Sequence, residues 1–312
     1  PIDKDETDYP ADKDTVKEEG KALTLIPSKI SNPVQSNVYS YNVDVEKYES
    51  VKVEDTGNND IQINIPSTEN PIQFESQSPV TVNCDNANIQ LQPNSENINI
   101  LGKGVVKLSS DKDDDITLGT VRLDDVTSPI EKFESNSKLT INELDIFGNE
   151  EFSGEGTKSL TCKTAKLEGG STFKPAQISI TDVKVGLNSL LLIESDDVAI
   201  TNFLVAYNSS TTNPPIKFSG VSPSKFPDLT KSSISLFNYN QNELLDDTVE
   251  QSIIAQFEGE KSEEKCKELT YNKGSGFNDA KCVPDGNDKC NLVALKSIGN
   301  NSDDGDDDKG LS

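Results

Sequence analysis

Between residues 80 and 205 the chain repeats one phrase: apolar, small polar, apolar, two variable positions, apolar, variable, apolar. It reads Ile116-Thr-Leu-Gly-Thr-Val-Arg-Leu123 and returns at Leu139 to Ile146, Leu160 to Leu167, Ile178 to Val185 and Val198 to Val205. A looser copy runs from Ile98 to Leu108, and Val80 to Val82 with Ile89 to Leu91 makes a seventh. The starting positions 80, 98, 116, 139, 160, 178 and 198 lie 18, 18, 23, 21, 18 and 20 residues apart. Short alternations of apolar and polar side chains are the signature of a strand with one buried face. A further apolar element follows in several units, as at Pro129 to Phe133, Leu190 to Ile193 and Pro215 to Phe218.

A unit this short that already holds two or three strands leaves no room for a helix. That excludes TIM barrels, doubly wound sheets and helical arrays. The two-residue breaks are too short for a hairpin in every unit and too regular for a sandwich. A stack fits, in which each unit makes one coil and every strand pairs in parallel with its copies above and below. One coil alone cannot bury its apolar edge. The fold class expected is therefore all-β, a parallel β-solenoid with N- and C-terminal caps. The variable unit length breaks the strict sixes of a left-handed hexapeptide helix, so a right-handed β-helix is expected.

The boundaries that follow are an acidic disordered segment at 1–22, an N-terminal cap at 23–60 and solenoid coils at 61–220. A C-terminal cap with clustered cysteines spans 221–300, and an acidic tail 301–312. Within the second cap, Leu244, Leu245, Val249, Ile253 and Ile254 keep helical spacing, which predicts one helix from Asn242 to Glu258.

Composition changes this picture in what it forbids. The 312 residues carry 54 Asp and Glu against 29 Lys and Arg, a formal charge of -25, with no His, Met or Trp. Without His there is no Ser-His-Asp or Cys-His catalysis and no imidazole metal site. The acidic balance argues against nucleic acid, whose phosphates need clustered Lys and Arg. Only 32% of residues are apolar, which suits a thin stacked core and not a thick globular one. A chain that opens on Pro1 and lacks Met reads as a mature product or excised piece of a longer precursor, which leaves room for a leader or membrane anchor outside this span. No apolar run approaches the roughly 18 residues of a membrane span.

Cys266, Cys282 and Cys290 cluster near the end and are the disulfide candidates; which two pair is left open. Zinc is a poor rival, because the cluster lacks a Cys-x-x-Cys pair and any His. Cys162 falls where equivalent units carry Ile or Leu, so it reads as a small buried hydrophobe. Asn208 and Asn300 head N-glycosylation sequons. Together these features place the chain in the secretory pathway, outside the cell or on its surface. No cofactor or resident metal is expected. Ca²⁺ on the acidic run after Ser302 is the alternative, since hard carboxylate oxygens suit that ion.

Stacking turns one position per coil into a line. The residue between the last two apolar positions is Gln90, Lys107, Arg122, Asp145, Lys166, Lys184 and then Leu204. Lys107, Arg122, Lys166 and Lys184, interrupted by Asp145, are thus a candidate binding stripe that could follow a repeating anion. The competing reading is a solvated face that relieves like-charge repulsion. The companion line Thr81, Asn99, Thr117, Thr140, Thr161 and Ser179 reads as a structural ladder of good strand formers.

These coils resemble the pectate-lyase-like parallel β-helix superfamily in repeat shape over about residues 60–220. Ser195-Asp196-Asp197-Val198 is similar to the Asp-Asp segment of polygalacturonase-type glycoside hydrolases. That resemblance implies that Asp196 and Asp197 would protonate a leaving group and activate water. The same family's Gly-His-Gly and Arg-Ile-Lys motifs have no counterpart in a chain without His whose single Arg is Arg122. The acidic rod, terminal cysteines and sequons are closer to noncatalytic surface and adhesin-type solenoids. The function expected is noncatalytic, adhesive or structural, with self-association, a glycan or a host surface protein as partner. A carbohydrate-active enzyme acting on an acidic polysaccharide is the alternative.

Overall fold

The computed structural model describes residues 16–19, 22–25, 37–42, 47–55, 61–65, 68–74, 80–85, 87–91, 98–103, 107–109, 115–123, 133–134, 138–206, 213–219, 226–237, 251–274 and 277–296. The chain is all-β, a parallel β-solenoid of about four turns. Its spine is a twelve-stranded sheet that takes the first strand of each coil. From Ile61–Ile65 through Val80–Asp85, Ile98–Lys103, Ile116–Leu123, Lys138–Ile146, Ser159–Leu167, Ile178–Val185, Val198–Ala206 and Ser233–Phe237 to Thr270–Asn272, every neighbouring pair is parallel. The sheet ends at the antiparallel strands Lys47–Asp55 and Asn37–Asn42.

The second strand of each coil goes to one of two further sheets. Thr68–Phe74, Ala87–Leu91, Lys107–Ser109 and Phe133–Glu134 join a six-stranded sheet. Asn149–Ser153, Thr172–Ala176, Leu190–Ile193, Ile216–Ser219 and Gln251–Glu258 pair in parallel in a seven-stranded one. That sheet continues into the antiparallel strands Lys289–Lys296 and Phe277–Pro284. Within the segment expected to be unstructured, Val16–Glu19 pairs antiparallel with Ala22–Leu25. The 301–312 tail lies outside the described residues.

The register matches the repeat phrase almost everywhere. Val80 stands opposite Ile98, Ile116 opposite Leu139, Leu139 opposite Leu160, Thr161 opposite Ser179 and Ile178 opposite Val198. The apolar letters of the phrase become four buried columns. Leu118, Ile141, Cys162, Ile180 and Ile200 make one, and Val121, Leu144, Ala165, Val183, Phe203 and Ile234 make another. Cys162 is thus the buried apolar filler expected, its thiol donating to the Thr164 carbonyl.

The two variable letters have a geometric cause. A flat strand sends every second side chain inward, yet here the inward positions 118 and 121, or 141 and 144, are three apart. The chain bends between them, and Gly119, Asn142, Lys163 and Thr181 are left out of the pairing at the same point of successive coils. Further round the last coils, aromatic rings stack in the core. Phe218 and Phe257 stand in register with centroids 4.5 Å apart and planes 7° from parallel, and Phe203 meets Phe218 edge-on at 5.9 Å.

Two expectations are corrected. The helix predicted from Asn242 to Glu258 is, over its described part, the strand Gln251–Glu258; residues 242–250 lie outside the described residues. Ile254, Ala255 and Phe257 are buried, and the strand pairs with Ile216–Ser219 and Lys289–Lys296, so tertiary pairing overrides the helical spacing. The one helix among the described residues is Ser262–Glu268, immediately after it. The looser copy from Ile98 to Leu108 is not a single strand either. Ile98–Lys103 stays in the long sheet, while Lys107–Ser109 pairs with Ala87–Leu91 on another face. Val121 therefore stands opposite Ile100, and the Thr120 N–H donates to Asn99 Oδ1 at 2.8 Å.

Coils approach closely at the corners. A Cβ on Gly154 would lie 2.1 Å from the Gln177 carbonyl oxygen and 2.9 Å from Leu160 Cβ, whereas one on Gly274 would meet nothing within 4 Å. Gly154→Ala is therefore expected to destabilise the fold by about 1–3 kcal/mol, as overpacking does. Gly274→Ala should leave the denaturant midpoint unchanged, and equal midpoints for the two variants would contradict this packing.

Candidate functional site

The long sheet sets Arg122, Asp145, Lys166, Lys184 and Leu204 directly opposite one another, strand by strand. Four of the five proposed stripe residues are thus brought into one outward row. Lys107 is not among them. Its strand belongs to the six-stranded sheet, where Lys107 pairs with Asn88 and Gln90 with Ser109. The sixth unit turns a corner before Lys107, so the repeat phrase places it one face too early.

The row is also less cationic than one column of letters suggests. Glu143 and Glu168 flank it, so three cations face three carboxylates counting Asp145. Lys166 Nζ lies 2.5 Å from Glu143 Oε1, a diagonal cross-strand pair between adjacent coils. The Arg122 guanidinium sits 4.2 Å above the Phe147 ring, a cation–π contact. Lys184, with Lys166, Leu167, Glu168 and Phe237, lines a surface hollow of about 180 Å³. Reading two neighbouring columns together, rather than one, would have exposed Glu143 as the partner of Lys166.

Asp145 is half-buried within this network. Burial, then the like charge of Glu143, push its carboxyl up to about 6, against the pull of Lys166 and Arg122. Its Oδ1 and the Asn142 Oδ1 are buried without a hydrogen-bond partner. On the next column, the Asn202 amide donates to Asp182 Oδ1 at 2.8 Å and the Ser233 hydroxyl to Asn202 Oδ1 at 3.0 Å. Lys174 ties three coils of the other sheet together through Glu151 at 3.4 Å and Glu194 at 2.9 Å.

The Asp pair is placed by a turn. Asp196 and Asp197 are exposed in the corner that precedes Val198–Ala206. Asp197 Oδ1 accepts the Gln177 N–H at 2.9 Å and the Ser195 hydroxyl. Gln177 has a left-handed φ of 51°, a conformation that costs energy for a residue with a Cβ. The Asp197 carboxylate thus holds a strained corner of the coil below it. Asp182, one coil below, is occupied in the Asn202 ladder.

Of the cysteine candidates, Cys266 and Cys282 form the disulfide, while Cys290 is a buried free thiol. Asn208, Asn300 and the acidic run after Ser302 lie outside the described residues. Among the residues whose side chains are described Val283 is the one large apolar side chain left exposed, and no helix among the described residues is long and apolar enough to cross a membrane.

One carboxylate went unnoticed in the sequence. Glu150 points into the core between apolar neighbours, 2% exposed, with neither oxygen partnered. Burial pushes it up to about 8 from an ordinary 4.5. The folded chain therefore keeps a proton that the unfolded chain releases above about 4.5, and stability falls as pH rises from there to about 8. Asp145 acts in the same direction only up to about 6. Glu150→Gln should flatten the dependence of melting temperature on pH between 6 and 8 and raise it above pH 8. An unchanged slope would show that Glu150 is not held neutral.

No protein-family model, curated protein or solved structure matches this chain.

Proposed function

We propose that this chain is a noncatalytic extracellular or surface solenoid with an adhesive or structural role. The observation that carries the reading is how the polar chemistry is used. Asp197, Asp182, Glu143, Lys166 and Lys174 all bind groups on neighbouring coils. The candidate catalytic pair thus includes one carboxylate committed to a backbone corner and one that only faces solvent. A regular outer surface built this way suits contact over length with a second copy, a surface glycan or a host protein.

The disulfide supports an oxidising compartment, where such bonds persist. A right-handed coil of the pectate-lyase-like kind, closed by terminal caps, belongs to the same reading. The antiparallel strand pairs that end the long and the seven-stranded sheets support the caps, because an unpaired parallel edge invites pairing with another chain.

The test sets catalysis against contact. Incubated with acidic polysaccharides, the chain is expected to release no reducing ends. Sedimentation or a glycan array should instead report self-association or retention that weakens on Lys184→Glu. Turnover that disappears in both Asp196→Asn and Asp197→Asn would overturn the proposal in favour of a glycoside hydrolase.

A further inference from the structure

The three terminal cysteines meet at one point. Cys266 lies on the helix Ser262–Glu268, Cys282 on the strand Phe277–Pro284 and Cys290 on the strand Lys289–Lys296. The antiparallel register sets Cys282 opposite Leu292 and Cys290 opposite Pro284. Side chains on one face alternate by two, so Cys282 and Cys290 share the face that meets the helix. All three sulfurs lie within 4.8 Å of one another, although only Cys266 and Cys282 are bonded. The cap thus holds one disulfide and brings a third sulfur within reach of both bonded ones.

The exposures of the three differ in a way that gives direction. Cys266 and Cys290 are fully buried, whereas Cys282 is partly exposed. A thiolate leaves a disulfide more readily from a position where water can solvate its charge. Burial, then the nearby Glu263, push the Cys290 thiol up, against the pull of Lys267.

We propose that Cys290 is an internal nucleophile that shifts the disulfide and makes Cys282 a site of covalent modification. When the cap opens enough to admit water, Cys290 gives its proton to hydroxide, and its thiolate swings into line and attacks Cys266 Sγ. The Cys266–Cys290 bond forms, the Cys266–Cys282 bond breaks, and Cys282 departs as the thiolate. No electrons are gained or lost in that step. The Cys282 thiolate then attacks an external disulfide of the low-molecular-weight or protein class. One external sulfur becomes bonded to Cys282 and the other leaves as a thiolate, so the external disulfide is the oxidant. This inference is independent of the adhesive or structural role.

Oxidised glutathione is the probe. The full chain is incubated with it at mildly alkaline pH, trapped with acid and a thiol alkylator, and digested without reduction. Cleavage after Lys265, Lys267, Lys281 and Lys289 separates the three cysteines for mass spectrometry. The expected products are a glutathione adduct on Cys282 and a Cys266–Cys290 bond. In Cys290→Ser the adduct on Cys282 should be lost and the Cys266–Cys282 bond retained. Cys282→Ser, which leaves the nucleophile and its target, should carry a Cys266–Cys290 bond as isolated. An adduct on Cys290 in the parent chain, no adduct at all, or free Cys266 and Cys290 in Cys282→Ser would each overturn the proposal.

Discussion

Parallel, in-register hydrogen bonding between coils is the constraint on which the rest of this molecule depends. From Ile116–Leu123 to Val198–Ala206 each strand of the long sheet pairs with a strand about twenty residues away, and each paired residue meets its counterpart in the repeat. A shift of one residue would turn the Leu118, Ile141, Cys162, Ile180 and Ile200 column to solvent and bring threonines inward. Apolar burial and backbone pairing therefore select the same register. A core only one side chain deep at each position is then sufficient, which is why a chain with 32% apolar residues folds at all.

The same constraint organises the polar chemistry. Cross-strand neighbours stand about 5 Å apart, close enough that a charge on one coil must find an answering group on the next. Lys166 answers Glu143, and Lys174 answers both Glu151 and Glu194. Exposed pairs of this kind contribute modestly one by one. Their value lies in setting which coil follows which. Asp197 does a related job at a corner, where its carboxylate fixes the left-handed Gln177 that lets the chain turn into the next strand. Against this pattern Glu150 stands out, because its carboxylate enters the apolar column with no answering group.

Much of this was legible in the sequence, for a physical reason. A solenoid stacks like on like, so the period of the phrase is also the pairing register, and Leu139, Leu160 and Ile178 could be aligned by reading alone. The failures occur where the phrase slips or where a second dimension matters. The unit from Ile98 keeps its apolar letters but turns a corner inside them, which carries Lys107 off the row. Gln251–Glu258 has helical spacing, yet its β-branched and aromatic residues fill the place in a sheet between the strands of residues 216–219 and 289–296. Glu143 was missed because the row was read as one column, whereas cross-strand chemistry also runs diagonally. The convergence of Cys266, Cys282 and Cys290 depends on hairpin register and helix placement, neither of which their spacing encodes.

The in-register stack can be measured as a distance. Thr117, Thr140, Thr161, Ser179 and Ala199 occupy successive rungs of one outward column, so Thr117 and Ala199 are four strand spacings apart. Spin labels attached through ketone-bearing residues at these two positions leave the native cysteines untouched. Pulsed dipolar spectroscopy should then report a narrow distribution centred near ~20 Å, four steps of the usual strand spacing widened by the labels. A broad distribution, or one centred beyond ~30 Å, would contradict the stacked coils and with them the account of the core, the charged row and the corner carboxylates.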